Sequence, residues 1–115
     1  MGQLTTHILD TANGKPAANV NIRLYATGAE RCLLTSTVSN SDGRSDTALL
    51  KGDVLRTGEY ELEFDVGPYF AATGVAAGEL PFLNTVVIRF AMQSDQKYHV
   101  PLLVSPWSYS TYRGS

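Results

Sequence analysis

The sequence predicts an all-β fold, a two-sheet antiparallel β-sandwich carrying one short helix. Apolar residues recur at every second position in about seven or eight short stretches, the spacing of half-buried strands. Clusters of Gly, Asn, Asp, Ser and Pro separate those stretches, as turns require. Only one segment, near Pro68, has the composition of a helix, and it is too short to build a layer of its own.

Leu4–Asp10 opens the chain as a strand, with Thr5, His7 and Leu9 on one face and Thr6 and Ile8 on the other. Asn13-Gly14 within the following Thr11–Pro16 stretch is a strong hairpin signal. Val20, Ile22 and Leu24 then alternate with Asn21, Arg23 and Tyr25 to give a second strand with one buried face. Gly28-Ala29-Glu30 turns the chain into a third strand over Cys32–Val38. Ser39–Gly43 is turn chemistry throughout, and Arg44 follows its glycine at a loop-to-strand junction. A less regular strand is predicted over Ser45–Leu50.

Glu59–Val66 has the cleanest alternation: Tyr60, Leu62, Phe64 and Val66 face in, and Glu59, Glu61, Glu63 and Asp65 face out. Four exposed carboxylates in a row discourage edge pairing with another sheet of the same sign. Gly67-Pro68 breaks this strand, and Tyr69–Val75 is predicted to make one or two helical turns. Ala76–Pro81 reads as a loop. Thr85–Met92 is a strand with Val86, Ile88 and Phe90 inward and Arg89 outward. The last strand begins near Tyr98, with Val100, Leu102 and Val104 on one face and His99, Leu103 and Ser105 on the other. Pro101 offers no backbone donor, which predicts an edge position or a bulge. Ser105-Pro106-Trp107 turns into Tyr109–Tyr112, an aromatic tail with the look of a packed segment.

With 115 residues the chain forms one domain, 1–115, large enough to bury ~65% of its unfolded surface. Hydrophobic residues at 43% and charged residues at 17% exclude a disordered chain. A net charge of −2 with scattered Lys and Arg leaves no basic footprint, so no nucleic-acid partner is expected. Cys32 is the single cysteine, which rules out an intrachain disulfide and a cysteine zinc site. No apolar run reaches membrane-spanning length, and no membrane partner is expected. The opening MGQLTTHILD lacks the pattern of a secretory leader. The expected location is therefore the cytoplasm, or the periplasm had a leader been removed.

Candidate chemistry is sparse. His7 and His99 are the two histidines, and each alone reads equally well as a strand histidine satisfied by a neighbouring hydroxyl. Two histidines without a third ligand make a poor metal site, so no metal is assigned. Arg44, placed by a tight turn, is a guanidinium fork suited to a planar anion or a developing oxyanion. Tyr112-Arg113-Gly114-Ser115 adds a phenol, a second guanidinium and a hydroxyl. No nucleophile elbow or phosphate-binding glycine loop is present.

Three stretches taken together resemble one family. Leu4-Thr-Thr-His-Ile-Leu-Asp10, Tyr98-His-Val-Pro-Leu-Leu-Val-Ser-Pro106 and Tyr112-Arg-Gly-Ser115 are similar to the transthyretin-related 5-hydroxyisourate hydrolases. The Gly-Lys-Pro-Ala turn, the Ser-Asp-Gly-Arg44 loop and Tyr60-Glu-Leu-Glu-Phe-Asp65 extend the likeness along most of the chain, Ser45–Thr57 being its least characteristic part. The resemblance implies a transthyretin-like (prealbumin-like) sandwich assembled as a homotetramer, a dimer of dimers, with active sites in clefts where dimers meet. It implies hydrolytic opening of the six-membered ring of 5-hydroxyisourate to 2-oxo-4-hydroxy-4-carboxy-5-ureidoimidazoline, a step of urate degradation in purine catabolism, with no cofactor. Carried over by position, His7, His99, Arg44 and Ser115 would be catalytic, and His7, Arg44, Tyr112, Arg113 and Gly114 would bind substrate. Which histidine is the base stays open, as does whether Ser115 acts chemically or positions water. A transthyretin-like carrier of a small aromatic ligand is the alternative, and a structural or adhesive sandwich module is a third reading. Exposed apolar residues such as Pro101, Leu103 and Trp107 would find cover in an oligomer.

Overall fold

A computed structural model describes residues 1–75 and 80–114. Nine strands and one helix follow in the order β1 (Gln3–Asp10), β2 (Lys15–Pro16), β3 (Asn21–Ala26), β4 (Cys32–Val38), β5 (Leu50–Lys51), β6 (Gly58–Asp65), α1 (Val66–Thr73), β7 (Thr85–Met92), β8 (Lys97–Val104) and β9 (Tyr109–Thr111) among these residues. They form two sheets. One runs β2-β1-β8-β9, with β5 also paired to β1; the other runs β4-β3-β6-β7. The sandwich is as the alternation predicts, because each strand has one apolar face to bury.

The inner faces close on a core of Leu4 and Ile8 from β1, Ile22 and Leu24 from β3, Leu62 and Phe64 from β6, and Leu102 and Val104 from β8, none of them exposed. Buried apolar surface of this kind is the main driving force for the fold.

Five details differ from expectation. The site-bearing sheet is mixed, because β1 and β8 pair in parallel over Gln3↔Lys97 through Asp10↔Val104. Parallel neighbours need a long connection, and here the whole second sheet supplies it. The Ser45–Leu50 strand is reduced to Leu50–Lys51, and Gly52–Val54 makes a single 3₁₀ turn after it. Strand β6 is central, between β3 and β7, and its carboxylate face is not fully exposed as expected, Glu61 being buried. Its carboxylates do not repel, because Arg23 pairs with Glu63 (3.1 Å) and Asp65 (2.7 Å), and Arg31 and Arg89 reach Glu61 (3.3 and 3.6 Å). The helix starts at Val66, three residues earlier than predicted, since Pro68 in the first turn loses no intrahelical hydrogen bond. It ends at Thr73, with Gly74 in the left-handed conformation (φ 84°) as its cap. The predicted Ala76–Pro81 loop lies mostly outside the described residues.

The fifth difference concerns Pro101, which is neither at an edge nor in a bulge, since β8 has neighbours on both sides. Leu102 pairs with Thr111 and His99 with Gly114, so one continuous register sets Pro101 across from Tyr112. The ladder with β9 stops at Thr111 and resumes at Gly114. A missing donor interrupts a ladder without ending the strand.

Helix α1 is tied to the site-bearing sheet by one buried polar contact. Tyr69 donates its hydroxyl to Asp10 at 2.7 Å, and Asp10 also accepts from the backbone of Ala12 and Asn13 and from the Asn13 amide. Burial alone would push the Asp10 carboxyl up, but these donors outweigh it and hold it below its ordinary value.

Candidate active site

The outer face of the β1–β8 pair carries the candidate residues. Strand alternation turns Leu4, Thr6 and Ile8 into the core and leaves Thr5, His7 and Leu9 on the half-buried outer side. The parallel register sets Thr5 beside His99 and His7 beside Pro101, so the two histidines sit diagonally on adjacent strands. Their rings lie 6.4 Å apart, tilted by 32°.

Arg44 arrives from the side. The Asn40–Arg44 turn folds on Asn40, whose side-chain oxygen accepts from the backbone of Asp42 (2.9 Å) and Arg44 (3.2 Å). Gly43 then lies against β1, accepting a hydrogen bond from Ile8 at 2.8 Å. It has a φ of 76°, and an added Cβ would come within 2.4 Å of the Ile8 carbonyl oxygen, so both conformation and space demand glycine. The turn leaves Arg44 bridged to His7.

The tail closes the opposite side. Gly114 donates to the His99 carbonyl at 2.6 Å. A Cβ at Gly114 would sit 2.8 Å from the His99 ring, which makes glycine a condition of this approach. Tyr112 continues the register on the histidine face and is 59% exposed. The tail is strand-paired but not packed within the chain: Tyr109–Thr111 are exposed, as befits an edge strand.

Arg113 is the predicted site residue that the fold sends elsewhere. Alternation turns it off the histidine face. Its guanidinium sits 4.3 Å from the Tyr98 ring centroid and donates to Gln96 (3.0 Å) and the Lys97 carbonyl (3.3 Å). Such contacts anchor the tail. Ser115 lies outside the described residues. His7, Arg44, His99, Tyr112 and Gly114 are thus brought to one face, and Arg113 holds the segment that delivers two of them.

Electrostatics favour neutral histidines. His99 is held below its ordinary value by burial first, then by Arg44 and His7. For His7, burial and Arg44 again lower the value, against the opposing pull of the Asp42 backbone and carboxylate. Two neutral imidazoles beside an arginine can take up a proton, hold an anion and return the proton. No group of three or more metal-binding side chains occurs among the described residues.

Sequence reasoning missed Thr5, whose hydroxyl shares a 2.9 Å hydrogen bond with His99 Nδ1. It also missed Asn40 as the organiser of the arginine turn. Thr5 could have been found once β1 and β8 were known to be neighbours, but alternation within one strand says nothing about its partner.

Residues 4–114 match the model of the HIUase/Transthyretin family. Over 115 residues the chain is 54% identical to a Mesorhizobium japonicum protein named 5-hydroxyisourate hydrolase, covering 99% of this chain and 93% of that one. Among solved structures it is similar to Klebsiella pneumoniae 5-hydroxyisourate hydrolase, with a TM-score of 0.82, 34% identity and full coverage of both chains. It is also similar to a structure titled (S)-allantoin synthase, with a TM-score of 0.92 and 46% identity, covering 99% of this chain and 44% of that longer one.

Proposed function

The chain belongs to the HIUase/transthyretin family, and from that premise we propose that it hydrolyses 5-hydroxyisourate, with the outer face of β1 and β8 as its site. The observation that carries this reading is the convergence of His7, Arg44, His99 and the Tyr112–Gly114 tail on one face, beside the 54% identity to a hydrolase of that name. A carrier needs an apolar channel; it has no use for two neutral imidazoles and a guanidinium at a strand bridge.

Ring opening requires a water to attack the ring carbonyl, a stabiliser for the tetrahedral oxyanion, and a proton for the departing ring nitrogen. A neutral histidine takes the water's proton as its oxygen bonds to carbon. Arg44 faces the charge that builds on the carbonyl oxygen. The C–N bond then breaks, and the protonated histidine returns its proton to nitrogen, giving a carboxylate and a ureido group. No cofactor takes part. Gly114 lets the tail approach His99, and the register sets Tyr112 across from Pro101 on the same strand pair.

The assembly is a homotetramer, a dimer of dimers, whose clefts complete these faces. In support, edge strands β7 and β9 leave a cavity of ≈ 770 Å³ between the sheets, lined by Ile88, Phe90, Met92, Tyr98 and Val100. Trp107, 60% exposed, is left for an interface to cover, whereas Pro101 is already buried within the chain.

The test is the absorbance decay of 5-hydroxyisourate freshly generated from urate by urate oxidase. Acceleration is expected with the intact chain and not with His7→Ala, His99→Ala or a chain ending before Tyr112. Decay at the spontaneous rate in the presence of folded protein would overturn the proposal.

A further inference from the structure

The Thr5 hydroxyl lies where it can control one ring nitrogen of His99. Thr5 Oγ1 is 2.9 Å from His99 Nδ1 and 3.5 Å from the Tyr98 carbonyl oxygen. A hydroxyl has one proton and so can donate in one direction at a time. If it turns to the carbonyl, its oxygen accepts from Nδ1–H, and the lone pair of the neutral ring is on Nε2. If it turns to Nδ1, Nε2 carries the proton instead.

We propose that Thr5 is a positioning residue that holds His99 in the Nδ1–H form and so makes His99 the base of the reaction. This rests on the hydrolase reading given above. When Nε2 takes the water's proton, the imidazolium keeps Nδ1–H pointed at the Thr5 oxygen, whose own O–H stays directed at the Tyr98 carbonyl oxygen. The hydroxyl thereby supports the charged ring without bringing a carboxylate into the site. His7 has a different neighbour, the Asp42 backbone, and no hydroxyl at its ring among the described hydrogen bonds.

The charged groups around His99 do not supply this support. Arg44 from the Asn40–Arg44 turn and His7 from β1 both oppose its protonation. Lys97 stands two residues before it on β8, and Arg113 from the tail is turned to Tyr98 and Gln96. Among the described residues, Thr5 is the neighbour with a lone pair at hydrogen-bond distance from the ring.

The deciding variants are Thr5→Val, which keeps the branched shape of a strand former, and Thr5→Ser, which keeps the hydroxyl. Thr5→Val should lower kcat about ten- to a hundredfold, the size expected when a hydrogen bond to a charged group is lost, with KM little changed. Thr5→Ser should restore most of it. In ¹⁵N spectra of the free protein, wild-type and Thr5→Ser His99 should show protonated Nδ1, and Thr5→Val a tautomer mixture with a lower titration midpoint. An unchanged His99 spectrum in Thr5→Val, or a kcat loss that serine does not restore, would overturn the assignment. The spectra need no substrate. An inactive wild type whose spectra shift as described would therefore remove the hydrolase reading while leaving the Thr5–His99 coupling in place.

Discussion

Both outer faces of the sandwich carry charged or titratable side chains, yet they are organised in opposite ways. On the β3–β6–β7 face the charges are matched. Arg23 stands across from Glu63, and Arg89 across from Glu61, in neighbouring strands. Arg31 completes the ladder, stacking 3.6 Å from the Tyr25 ring centroid. Arg23 holds the Asp65 carboxyl well below its usual range. On the β1–β8 face, Arg44 makes no salt bridge among the described residues, and its field falls on two histidines. Matched charge fixes a sheet, whereas unmatched charge is left to act on a ligand.

The comparison breaks most sharply at the two arginines. Arg44→Ala should cut kcat/KM by ~10²–10³ with little change in unfolding midpoint, because an exposed guanidinium that stabilises an oxyanion contributes to the reaction and not to the fold. A loss of stability with activity retained would place Arg44 with the structural charges. The pH profile gives an intermediate effect. Both histidines have values lowered from 6.5, so the acid limb of kcat/KM should have its midpoint below that value. The same depression means that the unfolded chain binds protons first. Stability should therefore be level above pH 6.5 and decline as pH falls below it, a trend that urea melts at several pH values would reveal. The smallest effect belongs to the matched face. Arg23→Met should cost about 1 kcal/mol, the scale of a partly solvated ion pair, and leave turnover unchanged.

Much of this contrast was legible in the sequence. The alternation of Glu59–Val66 identified the inward Tyr60, Leu62 and Phe64, because burial is encoded residue by residue. Its central position was not legible, since that depends on Arg23 and Arg89 arriving from neighbouring strands and Arg31 from the turn before β4. His7 and Arg44 could be marked as candidates, but their bridge depends on Gly43 pressing against the Ile8 carbonyl. Arg113 was assigned to substrate by the family resemblance, carried over by position. Alternation from Tyr112 to Gly114 sends it instead to Tyr98, and that required knowing the β8–β9 register. Thr5 and His99 are separated by 94 positions, and only the parallel pairing makes them neighbours.

That parallel pairing also sets when the site can exist. A ribosome delivers β1 early and β8 late, so the first strand must wait for its central neighbour while most of the domain is made. The loop closed by this contact carries a large entropic cost, and non-local strand pairing is slow to form. Until it forms, the β8-facing edge of β1 remains open to strands of other chains. Because the histidines belong to strands on either side of that late junction, a nascent chain cannot assemble their pair before β8 is in place.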